Sequence, residues 1–210
     1  MSDAASFRFM LCDSAPGDDE NIAAIYAHHV RVGLGTFKEV PPPAEEMRRR
    51  REAVLALGLP FMVAVAVGRV VGYAYAALYR MRSAYRFTVE DSIYIAPDFA
   101  RRGIGRALLT RLIERCSALG YRQMVAVIGD SANTASIRLH ETAGFAPIGV
   151  QPAVGFKHGR WVDCVLMQRT LGAGAATLPK VAADESEEAF EAKLKKIAKA
   201  KPQSSPKAKE

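Results

Sequence analysis

Cysteine is scarce: only three occur in 210 residues. Cys12, Cys116 and Cys164 stand far apart, odd in number and among apolar neighbours. Such spacing supports neither a disulfide framework nor a metal site. No cysteine lies beside a histidine or a helix-start glycine turn that would lower its pKa, so nucleophilic thiol chemistry is not expected and all three read as buried small hydrophobes. No apolar run reaches the roughly 18 to 20 residues of a membrane helix. The short stretch Phe9 to Cys12 has neither a basic leader nor a small-residue cleavage site, so a signal peptide is not expected and the expected compartment is the cytoplasm. Internal repeats are lacking, which leaves one domain with a tail as the simplest organisation.

Charge of one sign is also not gathered in one block. The formal net charge is +7, but the arginines cluster separately at Arg48 to Arg51, Arg80 to Arg86 and Arg101 to Arg106, and lysines fill the last twenty residues. Net charge alone therefore does not argue for nucleic acid. After Leu171 the composition shifts to Gly, Ala, Lys and Glu, with Phe190 the last aromatic residue. Residues 1–171 are expected to form the domain and 172–210 a flexible tail, with a transient helix from Glu185 to Lys201 stopped by Pro202.

What is present alternates between extended and helical periodicity. Strands are expected at Phe7 to Cys12, Pro60 to Val67, Val70 to Arg80, Phe87 to Ala96, Met124 to Ile128, Phe145 to Val150 and Trp161 to Leu171. Helices are expected from Asp18 or Asp19, over Ala44 to Leu57, Gly103 to Leu119 and Asn133 to Ala143. The class is α/β (α+β): a mixed, mostly antiparallel central sheet flanked by helices.

The strongest local pattern is a strand, Pro97, and then Arg101-Arg102-Gly103-Ile104-Gly105-Arg106-Ala107 opening a helix. A helix start presents unpaired N–H groups and the positive end of its dipole, and glycines let a diphosphate approach them. Walker chemistry requires Gly-Lys-Ser/Thr, and a dinucleotide fingerprint requires a third glycine where Leu108 stands, so neither fits. Read alone, the two glycines could equally shape a tight turn.

Several segments in register extend this pattern. Arg102-Gly103-Ile104-Gly105-Arg106-Ala107 resembles the pyrophosphate loop of GNAT acetyltransferases. The stretches Gly72 to Ala76, Ala84 to Tyr94, Ser136 to Glu141 and Gly155 to Trp161 resemble their phosphinothricin and methionine sulfoximine acetyltransferase branch. The likeness covers about residues 7–171. It implies the GNAT fold, acetyl-CoA as co-substrate without a metal, a small amino-acid-like amine as acceptor, and a homodimer. It also implies that the pantetheine arm lies along Ile93, Tyr94 and Ile95, that Arg101, Arg102, Gly103, Ile104, Gly105 and Arg106 hold the diphosphate, and that Asn133 holds the cofactor from the opposite wall.

Period-two alternation places Thr88, Glu90, Ser92 and Tyr94 on one face of their strand. A carboxylate amid apolar residues is costly unless it meets water or a partner, so Glu90 is expected to face a cleft. An amine must shed a proton before it attacks a thioester, and Glu90 is the candidate base, at the position of the family's glutamate; a salt-bridged strand residue is the alternative. His140, where the resemblance places a histidine, is expected to protonate the departing thiolate or relay a proton, or else to be an idle surface histidine. Arg80 and Arg82, two apart, form a candidate fork for a carboxylate or phosphinate, or else line a solvated edge or dimer seam. Phe37, Asp91, Ser92 and Lys157 complete the candidate acceptor-binding set with Glu90, and Trp161 is assigned to core or dimer packing. A protein or peptide acceptor, and an acyl-CoA-binding protein with a nucleic-acid-binding tail, are the competing functions. The acidic residues from Asp184 to Glu188 make nucleic acid the less favoured partner.

Overall fold

The computed structural model describes residues 7–179 and 187–199. Strands form where apolar and β-branched residues run without helix caps, giving β1 (Met10–Asp13), β2 (Phe61–Ala66), β3 (Arg69–Leu78), β4 (Thr88–Ile95), β5 (Gln123–Gly129), β6 (Ala146–Lys157) and β7 (Arg160–Thr170). Helical spacing of apolar residues gives α1 (Asp19–Val32), α2 (Ala44–Ala56), α3 (Ile104–Ala118), α4 (Thr134–Thr142) and α5 (Glu187–Lys199). On α3 the stripe Ile104, Leu108, Leu112 and Cys116 is buried against the sheet. On α1 the buried stripe is Ile22, Ile25, Tyr26 and Val30. The expected α/β class and helix-flanked sheet hold.

The sheet has seven strands in the order β1-β2-β3-β4-β5-β7-β6. Among the described residues only β4 and β5 run parallel, joined through α3, and their ladder has just three rungs: Thr88 with Gln123, Val89 with Met124 and Glu90 with Val125. Beyond Glu90, β4 keeps its pairing to β3 as far as Ile95 but has no strand partner on its β5 side among the described residues. The sheet thus opens into a wedge at its centre.

Two departures from the sequence expectations concern the margins. Cys12 is exposed, because β1 is an edge strand open on one side, while Cys116 and Cys164 are buried as expected. The strand expected to stop at Val150 continues to Lys157, since Pro152 falls where β6 bulges away from β7 on the sheet edge and needs no ladder bond. The expected tail begins with a turn, in which Arg122 reaches the Gly174 carbonyl and the Thr177 hydroxyl. Farther on, α5 rests on the short turn Ser83–Tyr85 through a Ser83 to Glu187 hydrogen bond, and its Phe190 is buried. The rest of the expected tail helix, Glu185, Ser186, Ala200 and Lys201, lies outside the described residues.

Candidate active site

The wedge between β4 and β5 opens a cleft of about 960 Å³, lined by residues from α1, β4, the α3 entrance, β5, α4 and the Gly33–Phe37 loop. At one end is the helix entrance proposed for a diphosphate. Gly103 caps α3 with φ +81°, a left-handed conformation unfavourable for any residue with a Cβ, and no side-chain cap occupies the first N–H groups. Arg101, Gly103, Ile104, Gly105 and Arg106 all border the cleft. Arg102 does not: its guanidinium stacks on Phe7 and Phe99, 4.7 and 5.4 Å from the ring centroids. The side chain packs on this side because Phe99, buried in the turn before the loop, offers it an aromatic face.

Ile93, Tyr94 and Ile95 line the cleft where β4 has parted from β5, so their backbone is available on the open side. His29 fixes the end of this strand by donating from Nε2 to the Ile95 carbonyl at 2.9 Å. Burial pushes the His29 pKa down, outweighing the Ile95 bond, which favours the neutral ring. Nothing in the sequence around His29 marked it, since the bond spans 66 positions. On the facing wall Asn133 caps α4 through Oδ1, which accepts from the Ser136 N–H at 3.2 Å, and turns Nδ2 toward the Gly129 carbonyl. A cap oxygen is thus committed to the helix, and the amide N–H remains the group Asn133 can offer a ligand.

Glu90 sits at the apex of the wedge. Burial first, then the neighbouring charge of Asp91, raise its pKa from 4.5 to about 6, against the opposing charge of Arg80. That value suits a base working near neutrality. On the same side the Tyr26 hydroxyl of α1 lies 2.9 Å from Thr36 Oγ1. Tyr94 also meets Tyr26 of α1 edge-on at 5.1 Å. Glu90, Ser92 and Tyr94 therefore look toward α1, as alternation requires.

Asp91 points through the other side of the strand. Its Oδ2 lies 3.0 Å from His140 Nε2, and both side chains are buried. His140 is not the idle surface histidine of the alternative reading. Its Nδ1 donates to the Ser136 carbonyl at 2.7 Å, and its ring meets Phe145 edge-on. Burial lowers the His140 pKa, but the bond to Asp91, the charge of Asp91 and the Ser136 carbonyl together raise it above the ordinary value.

The acceptor side departs most from expectation. β3 ends at Leu78, so Arg80 and Arg82 lie on a loop where strand alternation no longer aligns them. Arg80 covers the Tyr79 ring and acts on Glu90 by charge, and both arginines are exposed and outside the cleft lining. Lys157 is no anion contact: it is 1 % exposed and its Nζ donates to the carbonyls of Gly33 and Thr36 at 2.8 and 2.7 Å. It clasps the loop that carries Phe37. Phe37 does line the cleft, its ring lying flush against Gly155 of β6, where an added Cβ would sit 2.7 Å from the ring. Trp161 is 67 % exposed, which removes it from the core.

Comparison with known proteins agrees with the fold. Residues 23–145 match the family described as Acetyltransferase (GNAT) family. A phosphinothricin N-acetyltransferase of Alcaligenes faecalis is 55% identical over 177 residues, covering 84% of this chain and 88% of that protein. An L-methionine sulfoximine/L-methionine sulfone acetyltransferase of Salmonella typhimurium is 39% identical, covering 74% and 90%. The crystal structure of a GNAT superfamily phosphinothricin acetyltransferase from Sinorhizobium meliloti in complex with AcCoA superposes with TM-score 0.80 at 48% identity, covering 82% of this chain and 93% of that one. This chain belongs to the GNAT family of acetyltransferases.

Proposed function

We propose that this enzyme transfers the acetyl group of acetyl-CoA to the amine of a small amino acid of the phosphinothricin, methionine sulfoximine or methionine sulfone type. One observation carries the reading: a sheet that parts after three rungs, with an arginine-flanked helix entrance at one end of the opening and a carboxyl group of raised pKa at its apex. The names of the relatives, at 55% and 39% identity, supply the substrate class.

In this reading the diphosphate of acetyl-CoA rests on the N–H groups at the start of α3 between Arg101 and Arg106, and the pantetheine arm lies along Ile93, Tyr94 and Ile95. The bound thioester supplies the acyl carbon. Glu90 takes a proton from the ammonium on the α1 side of β4, and a free backbone N–H of the parted strand stabilises the oxyanion of the tetrahedral intermediate. Arg80, close enough to act on Glu90 by charge, is the acceptor-side cation; Arg82 has no such support. Ser92 and Phe37 form acceptor walls.

The active species is a homodimer. Edge strand β6 exposes Ile148, Val150, Val154 and Phe156 by more than half each, beside Trp161 on β7. An apolar edge strand of this length invites pairing, and a second copy is the occupant that the family resemblance implies. The cytoplasm is its compartment, where the exposed Cys12 thiol stays reduced.

A panel of free amino acids, peptide N-termini and lysine peptides, each with acetyl-CoA and detection of released thiol, tests the acceptor. Acetylation of phosphinothricin or methionine sulfoximine in preference to every peptide supports the proposal; preference for peptides overturns it.

A further inference from the structure

The segment 33–37, which follows α1, borders the cleft with all five of its residues and lies against β5 and β6. Alternation along β6 turns Gly155 and Lys157 to the same side, opposite the exposed Val154 and Phe156. On that side Lys157 ties down the carbonyls of Gly33 and Thr36, while the Thr36 hydroxyl meets Tyr26 of α1. The loop is thus held at both ends of its short span.

Two glycines receive it. A Cβ on Gly129, at the end of β5, would stand 2.0 Å from the Leu34 carbonyl oxygen, and one on Gly155 would stand 2.7 to 2.9 Å from three atoms at the far end of the Phe37 ring. Neither glycine has a left-handed φ. What excludes a side chain at each is therefore the space the loop occupies, not the backbone conformation. The two contacts differ in kind. At Gly129 the obstacle is backbone, which yields only if the loop moves. At Gly155 it is the tip of a side chain, and with 39 % of its surface open Phe37 has room to swing.

Phe37 stands between the Gly155 seat and the cleft. It borders the same opening as Tyr75, Glu90 and Ser92, and its neighbour Thr36 is bonded to the helix toward which Glu90 looks. In the proposed function, on which this inference rests, that is the acceptor's side of β4.

We infer that Gly155 is a specificity-determining residue: by leaving the space behind Phe37 empty, it sets how far the ring stands back from the acceptor and so the length of amino-acid side chain the cleft admits. Carbon atoms pack at about 3.5 to 4.0 Å, so a methyl group at position 155 drives the ring tip about 1 Å toward the cleft. A shift of that size removes about the room of one methylene, which in an apolar pocket changes kcat/KM about tenfold or more. A long acceptor such as methionine sulfone or phosphinothricin reaches the ring, whereas alanine, with a single methyl group, does not.

Gly155→Ala in the full-length enzyme, assayed on alanine, methionine sulfone and phosphinothricin, tests this. For the two long acceptors kcat/KM should fall about tenfold through a higher amine KM, with alanine turnover and acetyl-CoA affinity within about threefold of the parent. Phe37→Ala removes the ring that transmits the push, so adding Gly155→Ala to it should cost nothing further. An equal loss for all three acceptors, a loss in kcat alone, or a loss that persists undiminished in the Phe37→Ala background overturns the inference, because each is the pattern of a merely structural glycine. Carbon-13 NMR of the protein with ring-labelled phenylalanine, the Phe37 signal assigned through Phe37→Leu, reads the wall without turnover. That signal should move in Gly155→Ala; an unmoved signal overturns the inference even if acetyl transfer is as proposed. If the parent enzyme acetylates no amine, the proposed function falls, and the ring signal still decides whether Gly155 sets the position of Phe37.

Discussion

Replacing Glu90 by glutamine should make the protein more stable and less active at once. The carboxyl group binds its proton at about 6 in the folded chain rather than at 4.5, chiefly because burial opposes its charge. A raised folded-state pKa stabilises the fold below the unfolded value, and that contribution is lost as pH rises through the folded value. At about 1.4 kcal/mol per pKa unit, the buried carboxylate costs the native state about 2 kcal/mol at pH 8, and less than about 1 kcal/mol at pH 5. Glutamine has the same shape and no charge, so Glu90→Gln removes the cost where it exists. Urea unfolding should show a stability gain of up to about 2 kcal/mol at pH 8 that shrinks toward pH 5, or a rise in Tm of roughly 4 to 8 °C for a domain of this size. Turnover should fall about 10²-fold or more with acetyl-CoA affinity unchanged, because a base is removed and no cofactor contact is touched. A stability difference that is the same at both pH values would refute the reasoning, since the carboxylate would then be solvated and not held at the apex of the wedge.

Arg80→Ala should move the acid limb of kcat/KM to a higher pH than the parent's, because a charge that holds the Glu90 pKa down is gone; an unchanged or lowered limb would count against the contact. Lys157→Met should destabilise the fold by about 1 to 3 kcal/mol, as the carbonyls of Gly33 and Thr36 lose a charged donor; thermal unfolding measures it, and amine KM should rise more than acetyl-CoA affinity falls. Gly103→Ala meets no atom within 4 Å but must hold φ +81°, so a cost of about 1 kcal/mol or more should appear together with weaker coenzyme A binding in calorimetry. Raising salt should weaken acetyl-CoA binding, because Arg101 and Arg106 are exposed to screening.

The parts of this site that follow from short-range rules were legible in the sequence. Alternation along Thr88 to Ile95 placed Glu90 at a cleft, and two glycines among arginines after Pro97 marked the helix entrance. Contacts made across the fold were not. The partner of His140 lies 49 positions away, and those of Lys157 lie 124 and 121 positions away. A lysine that closes a loop on two carbonyls looks, in the sequence, like any lysine offered to an anion. The placement of Arg80 and Arg82 on a loop was hidden because β3 ends two residues earlier than its apolar pattern suggested, and the periodicity that aligned them ends with it. Arg102 was drawn toward Phe7, ninety-five positions upstream, by a stacking contact that no motif encodes. The long run of β6 past Pro152 was hidden because a proline reads as a stop until the strand is known to lie at an edge.

The three rungs between β4 and β5 make that junction the shortest ladder of the sheet among the described residues, and it falls at the sheet's centre. A ligand threaded into such a gap acts as mortar between two half-walls, β1 to β4 on one side and β5 to β7 on the other. With coenzyme A seated in the gap as proposed, the cofactor would be a structural member of the enzyme as well as its reagent, and each release would leave the protein momentarily unmortared at the place where the next acetyl group must arrive.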